Sequence, residues 1–317
     1  MFKNLVLTLG MLLVASLTVH AADLVIDQAI EKTPAKYNMA SDFTGFVSIN
    51  SKKQLYVEYL APQAGRPTVV LLNGLTYSTR QWDAMTVFLK KAGLGVVRYD
   101  MSGMGQTLLK YKGQLAPYKY TDQVSELDQL LTVLQVPKPY NLVGLSYGGG
   151  IAAAYTIQFP NNIKNAILMA PYTAALAKQD DWIKSQISMT RIMYPFNMYS
   201  DDDLYDYFLK QICYTTYPLV EPIVLENPYK LEATFRLTQG IRKFELIKYV
   251  QLFPAHSIHL VIAEKDQYIP QEVLNSFWNA IPLVARASLT YVANSEHKMP
   301  EAVPEKSASL VDLIVSK

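Results

Sequence analysis

Between Thr68 and Met169 short apolar runs alternate with segments of helical spacing, and this alternation constrains the fold more than any other feature of the chain. Thr68 to Leu72 is wholly apolar after its first residue, as expected of a strand buried on both faces in a parallel sheet. Gln81 to Ala92 reads as the following helix, with Ser78 or Thr79 as N-cap and Gly93 as stop. Val96 to Tyr99 is the next strand, and Asp100 to Lys119 reads as a loop. Thr121 to Gln135 carries Val124, Leu127, Leu131 and Leu134 at helical spacing, and Pro137 ends it. Tyr140 to Gly144 reads as strand, Gly148 to Phe159 as helix and Ile163 to Met169 as strand. The pattern predicts right-handed βαβ units around a parallel sheet. Ahead of it, Phe46 to Ile49 and Leu55 to Leu60 flank Asn50-Ser51-Lys52-Lys53 and read as an antiparallel hairpin.

The alternation stops at Pro171. It resumes with a strand at Ile258 to Ala263, a helix at Gln271 to Ala280, a strand at Ser288 to Val292 and a helix near Ala302 to Val315. The interval from Tyr172 to Val250 reads as mostly helical, broken at Pro195, Pro218, Pro222 and Pro228. It far exceeds an ordinary αβ connection and reads as an inserted subdomain. The expected class is α/β: a mostly parallel sheet with helices on both faces, formed by residues 22–171 and 251–317, with a helical insertion at 172–250. Ser200 followed by Asp201-Asp202-Asp203 reads as the acidic first turn of a helix, which complements the helix dipole, rather than as a cation site.

Met1 to Ala21 has one cation, Lys3, then an apolar run from Leu5 to Val19, and ends in Val19-His20-Ala21 with small residues at the positions a signal peptidase needs, which predicts a secretory signal peptide at residues 1–21. The run is short for a spanning helix of ~20 residues, so a retained anchor is the second reading and no stable span is expected after cleavage. The protein is expected to be exported, periplasmic or secreted. Cys213 is the single cysteine, which excludes an intramolecular disulfide and a thiolate metal cluster. A net charge of +2, with no basic run longer than two residues, argues against a nucleic-acid partner.

Gly144-Leu145-Ser146-Tyr147-Gly148 has the form G-x-S-x-G between a predicted strand and a predicted helix. A sharp turn there needs glycine at Gly144 and Gly148, and it exposes Ser146 at a helix N-terminus where developing negative charge is favoured. A glycine-rich turn bearing a surface serine is the plain alternative. A serine nucleophile needs a base oriented by a carboxylate. His20 falls in the leader, while His256 and His259 precede or enter a strand and read as packing residues. His297 follows the last strand, at the sheet edge where the turn would place Ser146, and is the base of choice. Asp266 follows the strand before it and is the chosen acid, with Glu264 and Glu296 as rivals. The order Ser146, Asp266, His297 is that of a known serine-hydrolase architecture.

On these segments the chain resembles the serine hydrolases of the α/β-hydrolase superfamily, esterases and lysophospholipases with a helical cap, over nearly all of residues 22–317. Leu71-Leu72-Asn73-Gly74-Leu75 is similar to the family's oxyanion loop, with Asn73 where a histidine is common. Arg98-Tyr99-Asp100-Met101-Ser102-Gly103-Met104-Gly105 is similar to its fourth-strand segment and reads as structural. The resemblance implies backbone N–H donors for an oxyanion at Leu75 and Tyr147, catalysis without cofactor or metal, and an insertion that acts as cap. Nine of the 22 tyrosines fall between Tyr172 and Tyr249, which suits a lining for an apolar acyl group or, alternatively, a small helical core. The expected activity is hydrolysis of a small-molecule or lipid-like carboxylic ester. An aminopeptidase or thioesterase on the same triad is the alternative, as is a non-catalytic binding protein. An aminopeptidase would need an acid in the insertion to hold the substrate ammonium, and Asp180, Glu221, Glu226 and Glu232 are the candidates.

Overall fold

Eight strands form one sheet in the order β1-β2-β4-β3-β5-β6-β7-β8. A computed structural model describes residues 41–317 except 114, 115 and 226, so the proposed leader lies outside the described residues. The expected hairpin is β1 (Phe43–Ser48) against β2 (Gln54–Leu60), and β2 also runs antiparallel to β4 (Gly95–Asp100). From there β3 (Thr68–Leu72), β5 (Tyr140–Leu145), β6 (Ile163–Met169), β7 (Ile258–Lys265) and β8 (Arg286–Glu296) continue the sheet in parallel. Successive strand side chains point to opposite faces, and every residue of β5 is buried, so helices must cover both faces there. In β2 burial alternates residue by residue, as befits a strand nearer the edge.

Helices α1 (Asp83–Lys91), α2 (Gly105–Tyr111), α3 (Tyr120–Val133) and α4 (Tyr147–Gln158) connect the first strands. Helix α2 corrects the reading of Asp100 to Lys119 as loop; it is one short stretch between Gly103 and Gly113, too brief for periodicity to reveal. The N-cap expected at Ser78 or Thr79 is also corrected. A 3₁₀ turn (Thr79–Trp82) precedes α1, and the Ser78 side chain caps nothing. Instead Asp100 Oδ1 accepts from the Thr79 N–H at 2.7 Å while its Oδ2 accepts from the Gln106 N–H at 2.7 Å, so one buried carboxylate caps two elements.

Between β6 and β7 no strand occurs among the described residues. The chain forms α5 (Ala177–Met193), α6 (Asp201–Gln211), a π-helical turn (Ile212–Thr216), α7 (Tyr217–Val220) and α8 (Lys230–Ile241). Ser200 and Asp203 form a reciprocal capping box on α6, as the acidic first turn predicted. Ile183, Ile187, Leu204, Tyr205, Leu209, Cys213 and Phe235 pack as a small core of their own, whereas Leu237 and Ile241 join the main one. Gly240 lies so close to the main body that a Cβ there would stand 1.9 Å from the Tyr118 carbonyl oxygen. Helices α9 (Gln271–Ala280), α10 (Met299–Ala302) and α11 (Pro304–Val315) complete the chain. Among the described residues no helix is long and apolar enough to cross a membrane.

Candidate active site

Strand β5 ends at Leu145, α4 begins at Tyr147, and Ser146 makes the turn between them with φ 55° and ψ −115°. That conformation is unfavourable for a residue with a side chain and persists only where the surroundings impose it. They do: the Ser146 N–H donates to Met169 O at 2.9 Å, and its carbonyl accepts from the N–H groups of Gly150 (3.1 Å) and Tyr172 (2.8 Å). The two motif glycines are steric necessities. A Cβ on Gly144 would lie 2.3 Å from the Gly148 carbonyl oxygen, and one on Gly148 would lie 2.1 Å from that of Leu72. The half-buried Ser146 side chain faces a cavity, and its hydroxyl has no hydrogen-bond partner among the described residues.

Sheet register brings the acid and base together. Lys265 at the end of β7 pairs with Glu296 at the end of β8, so the residues that follow, Asp266 and His297, leave adjacent parallel strands side by side. His297 Nδ1 donates to Asp266 Oδ2 at 2.7 Å, with side chains 8% and 0% exposed. Asp266 Oδ1 accepts from the N–H groups of Tyr268 and Ile269, both at 2.8 Å, which fixes the carboxylate. Nε2 is left as the ring nitrogen free for a proton on the cavity side, since His297 lines the same cavity as Ser146. The rivals are elsewhere: Glu264 is exposed and accepts from the Asn294 N–H, and Glu296 is exposed. His259 is buried between Ser288 and Asn165 far down the sheet, as a packing residue should be, whereas His256 is exposed in the turn before β7, which corrects its reading as a packing residue.

The loop after β3 sits beside the Ser146 turn because Leu72 pairs with Gly144. The Leu75 and Tyr147 N–H groups donate to no acceptor among the described residues, and both residues line the cavity. Asn73, unusual in this loop, anchors it: Nδ2 donates to the Tyr99 carbonyl at 3.1 Å and Oδ1 accepts from Trp82 Nε1 at 2.8 Å. The Gly74 N–H donates to Gln81 Oε1 at 2.7 Å. Gln81 and Trp82 lie at the start of the helix expected over Gln81 to Ala92, and no local signal marks them as loop anchors.

The insertion supplies the opposite wall through Leu176, Gln179, Ile212, Cys213, Glu221 and Ile241. Its aromatic residues divide: Tyr172 and Tyr217 line the cavity, Tyr205 and Phe235 build the small core, and Phe196 is 94% exposed. Cys213, distant in sequence from the site residues, reaches the cavity wall, where burial pushes its thiol up to about 12 and keeps it protonated. Of the four acids weighed in the insertion, Glu226 lies outside the described residues. Asp180 bonds to Tyr205 and Lys184, and Glu232 to Tyr214, Arg236 and Lys210. Only Glu221 lines the cavity, and there it pairs with Lys298 at 3.0 Å. Tyr77, Tyr268 and Lys298, which complete this polar corner, were not legible as site residues.

A family model described as the alpha/beta hydrolase fold matches residues 67–299, from just before β3 to just past the His297 loop. The chain belongs to the α/β-hydrolase family. Among α/β hydrolases and their kin, it is 33% identical over 107 residues to monoacylglycerol lipase abhd6-B of Xenopus laevis, covering 33% of this chain and 31% of that protein. It is 26% identical over 137 residues to the bifunctional esterase/perhydrolase DCH of Acinetobacter calcoaceticus, covering 43% and 48%. The chain thus spans less than half the length of these curated relatives. In three dimensions it resembles MGS-M2, an alpha/beta hydrolase from a deep-sea metagenome library, with a TM-score of 0.62 at 21% identity over 87% of this chain and 98% of that one. It also resembles a bacterial membrane phospholipase A, with a TM-score of 0.63 at 18% identity over 88% and 87%. At such identities these two likenesses concern the fold alone.

Proposed function

We propose that this α/β hydrolase cleaves carboxylic esters through an acyl-enzyme formed on Ser146. The observation that carries the reading is that His297, paired to the buried Asp266, lines one cavity with Ser146, the residue forced into a strained turn at the start of α4. Ser146 Oγ attacks the ester carbonyl while His297 Nε2 takes its proton; Asp266 holds the imidazole in the tautomer that leaves Nε2 free to accept. The N–H groups of Leu75 and Tyr147, unpartnered and rigidly held, stabilise the oxyanion as it forms. His297 returns the proton to the departing alkoxide. A water deprotonated by the same imidazole then attacks the acyl-enzyme, and Ser146 regains its proton as the acid leaves.

An ester is favoured over an aminoacyl substrate because Glu221, the one acid lining the cavity among the described residues, is already neutralised by Lys298 and offers no free charge to an ammonium. The apolar wall formed by Leu75, Leu145, Leu176, Ile212 and Ile241 suits an acyl chain, in keeping with lipase and esterase relatives. Residues 172–250 act as the cap over this cavity, and export through the Met1 to Ala21 leader is part of the proposal. The test is labelling by a fluorophosphonate. Wild type is expected to label and Ser146→Ala to lose both labelling and turnover of nitrophenyl esters; equal labelling of the two overturns the assignment.

A further inference from the structure

Glu221 comes from the insertion, between α7 and the 3₁₀ turn Pro222–Leu225, yet it is only 4% exposed and the polar partners of its side chain all belong to the main body. Tyr77 OH donates to Oε2 at 2.8 Å, Tyr268 OH donates to Oε1, and Lys298 Nζ lies 3.0 Å from Oε1 and 3.1 Å from Oε2. These partners sit on three different loops, each beside a group the proposed reaction uses. Tyr77 is two residues after Leu75 in the oxyanion loop. Tyr268 is two residues after Asp266, its own N–H holds Asp266 Oδ1, and its ring meets the His297 ring edge-on at 5.1 Å. Lys298 directly follows His297 and lies over the Tyr77 ring at 5.1 Å.

We propose that Glu221 is a positioning residue, through which the insertion clamps the oxyanion loop, the acid loop and the base loop into one arrangement. The inference rests on the serine-hydrolase reading above. A carboxylate offers about four acceptor sites, enough to serve three donors from three directions at once, and charge-assisted bonds are the stiff ones. Burial alone would raise the Glu221 pKa, but the bonds from Tyr268, Tyr77 and Lys298 outweigh it and hold the group below the usual carboxylate range, so it stays an anion with acceptors only. None of the other contacts described between insertion and main body touches all three loops. The insertion therefore does more than cover the cavity: with its acid withdrawn, each loop keeps its fold and loses its common reference point.

The experiment uses the full chain with Glu221→Gln, Tyr77→Phe and Tyr268→Phe, the last two removing one donor each while keeping the ring. For each, the rate of Ser146 labelling by a small fluorophosphonate, kcat and KM for a short nitrophenyl ester, and the thermal midpoint are measured. Misplacing reacting groups by a fraction of an ångström costs rate rather than binding, so Glu221→Gln is expected to lower the labelling rate and kcat about ten- to a hundredfold with KM little changed. The two Phe variants are expected to show the same signature more weakly, and they decide the matter if Glu221→Gln does not fold. Labelling and kcat unchanged in the variants, with only a lower thermal midpoint, overturns the clamp, as does a raised KM with kcat intact. A wild type that fails to label at Ser146 refutes the serine-hydrolase reading itself, an outcome distinct from a labelled wild type with indifferent variants.

Discussion

Asp266 takes its three hydrogen bonds from groups within its own loop and from His297, with its side chain wholly shut off from solvent. Asp266→Asn keeps the shape but puts an N–H2 where an acceptor is needed. The imidazole then favours the tautomer with its proton on Nε2, and ester turnover is expected to fall about 10³- to 10⁴-fold with labelling by fluorophosphonate slowed in parallel. A fall of less than tenfold would assign the orienting role to another acid. Chain order alone could not separate Asp266 from Glu264 and Glu296, because all three sit within a few residues of a strand end. What separates them is direction: the register that pairs Lys265 with Glu296 sends the next residues toward each other, and that of Glu264 sends it to the Asn294 N–H.

Short elements behave differently from long ones. Helices α3, α4 and α9 and the buried strands were readable within one or two residues, from apolar spacing in α3 and α9 and from continuous apolar runs in α4 and the strands. Helix α2 was not, since its few residues between glycines repeat nothing. The oxyanion loop is a third case: its sequence looks like a family loop, but what holds it is Gln81, a first-turn residue of the next element. Gln81→Ala leaves the Gly74 N–H buried without an acceptor, at a cost of about 1–3 kcal/mol, and lets the Leu75 N–H drift. Ester kcat is expected to drop about tenfold or more with a lower thermal midpoint. Unchanged kcat at a lowered midpoint would mean that Asn73 alone fixes the donor.

Across the molecule, the two ends of the parallel strands have different duties. At their C-terminal ends stand Ser146, Asp266 and His297; near their N-terminal ends a polar ladder crosses the sheet. Asn141 Nδ2 donates to the Thr68 carbonyl (3.2 Å), Asn165 Nδ2 to Asn141 Oδ1 (2.8 Å), His259 Nε2 to Asn165 Oδ1 (3.0 Å), and Ser288 Oγ to His259 Nδ1 (2.7 Å). The ladder needs a neutral imidazole, and burial lowers the His259 pKa to about 4. Its unfolded value lies higher, so the stability it confers is complete above about pH 6.5 and is lost as pH falls toward 4, in all about 2–3 kcal/mol. Asp100 works in the opposite sense: burial raises it to about 6 despite two N–H donors, so its contribution improves as pH falls below 6. The stability gap between wild type and His259→Gln, read from urea midpoints, is therefore expected to narrow from neutral pH toward pH ~4. A gap that does not change with pH would show that His259 is not held neutral. The sequence was sufficient for what adjacent residues decide together: the strand and helix alternation, the glycine turn around Ser146 and the order of the three proposed catalytic groups, since periodicity and steric need are local. Only the tertiary structure could decide that Asn73 and Gln81 anchor the oxyanion loop, that Cys213 reaches the cavity, and that Glu221 meets Tyr77, Tyr268 and Lys298. The Asn73–Tyr99 bond and the meetings of Cys213 and Glu221 with the cavity join segments far apart along the chain, at distances set by sheet register and by how the insertion folds back over it; the Gly74–Gln81 bond spans only seven residues but depends on how the loop turns back on the next element, which periodicity does not encode.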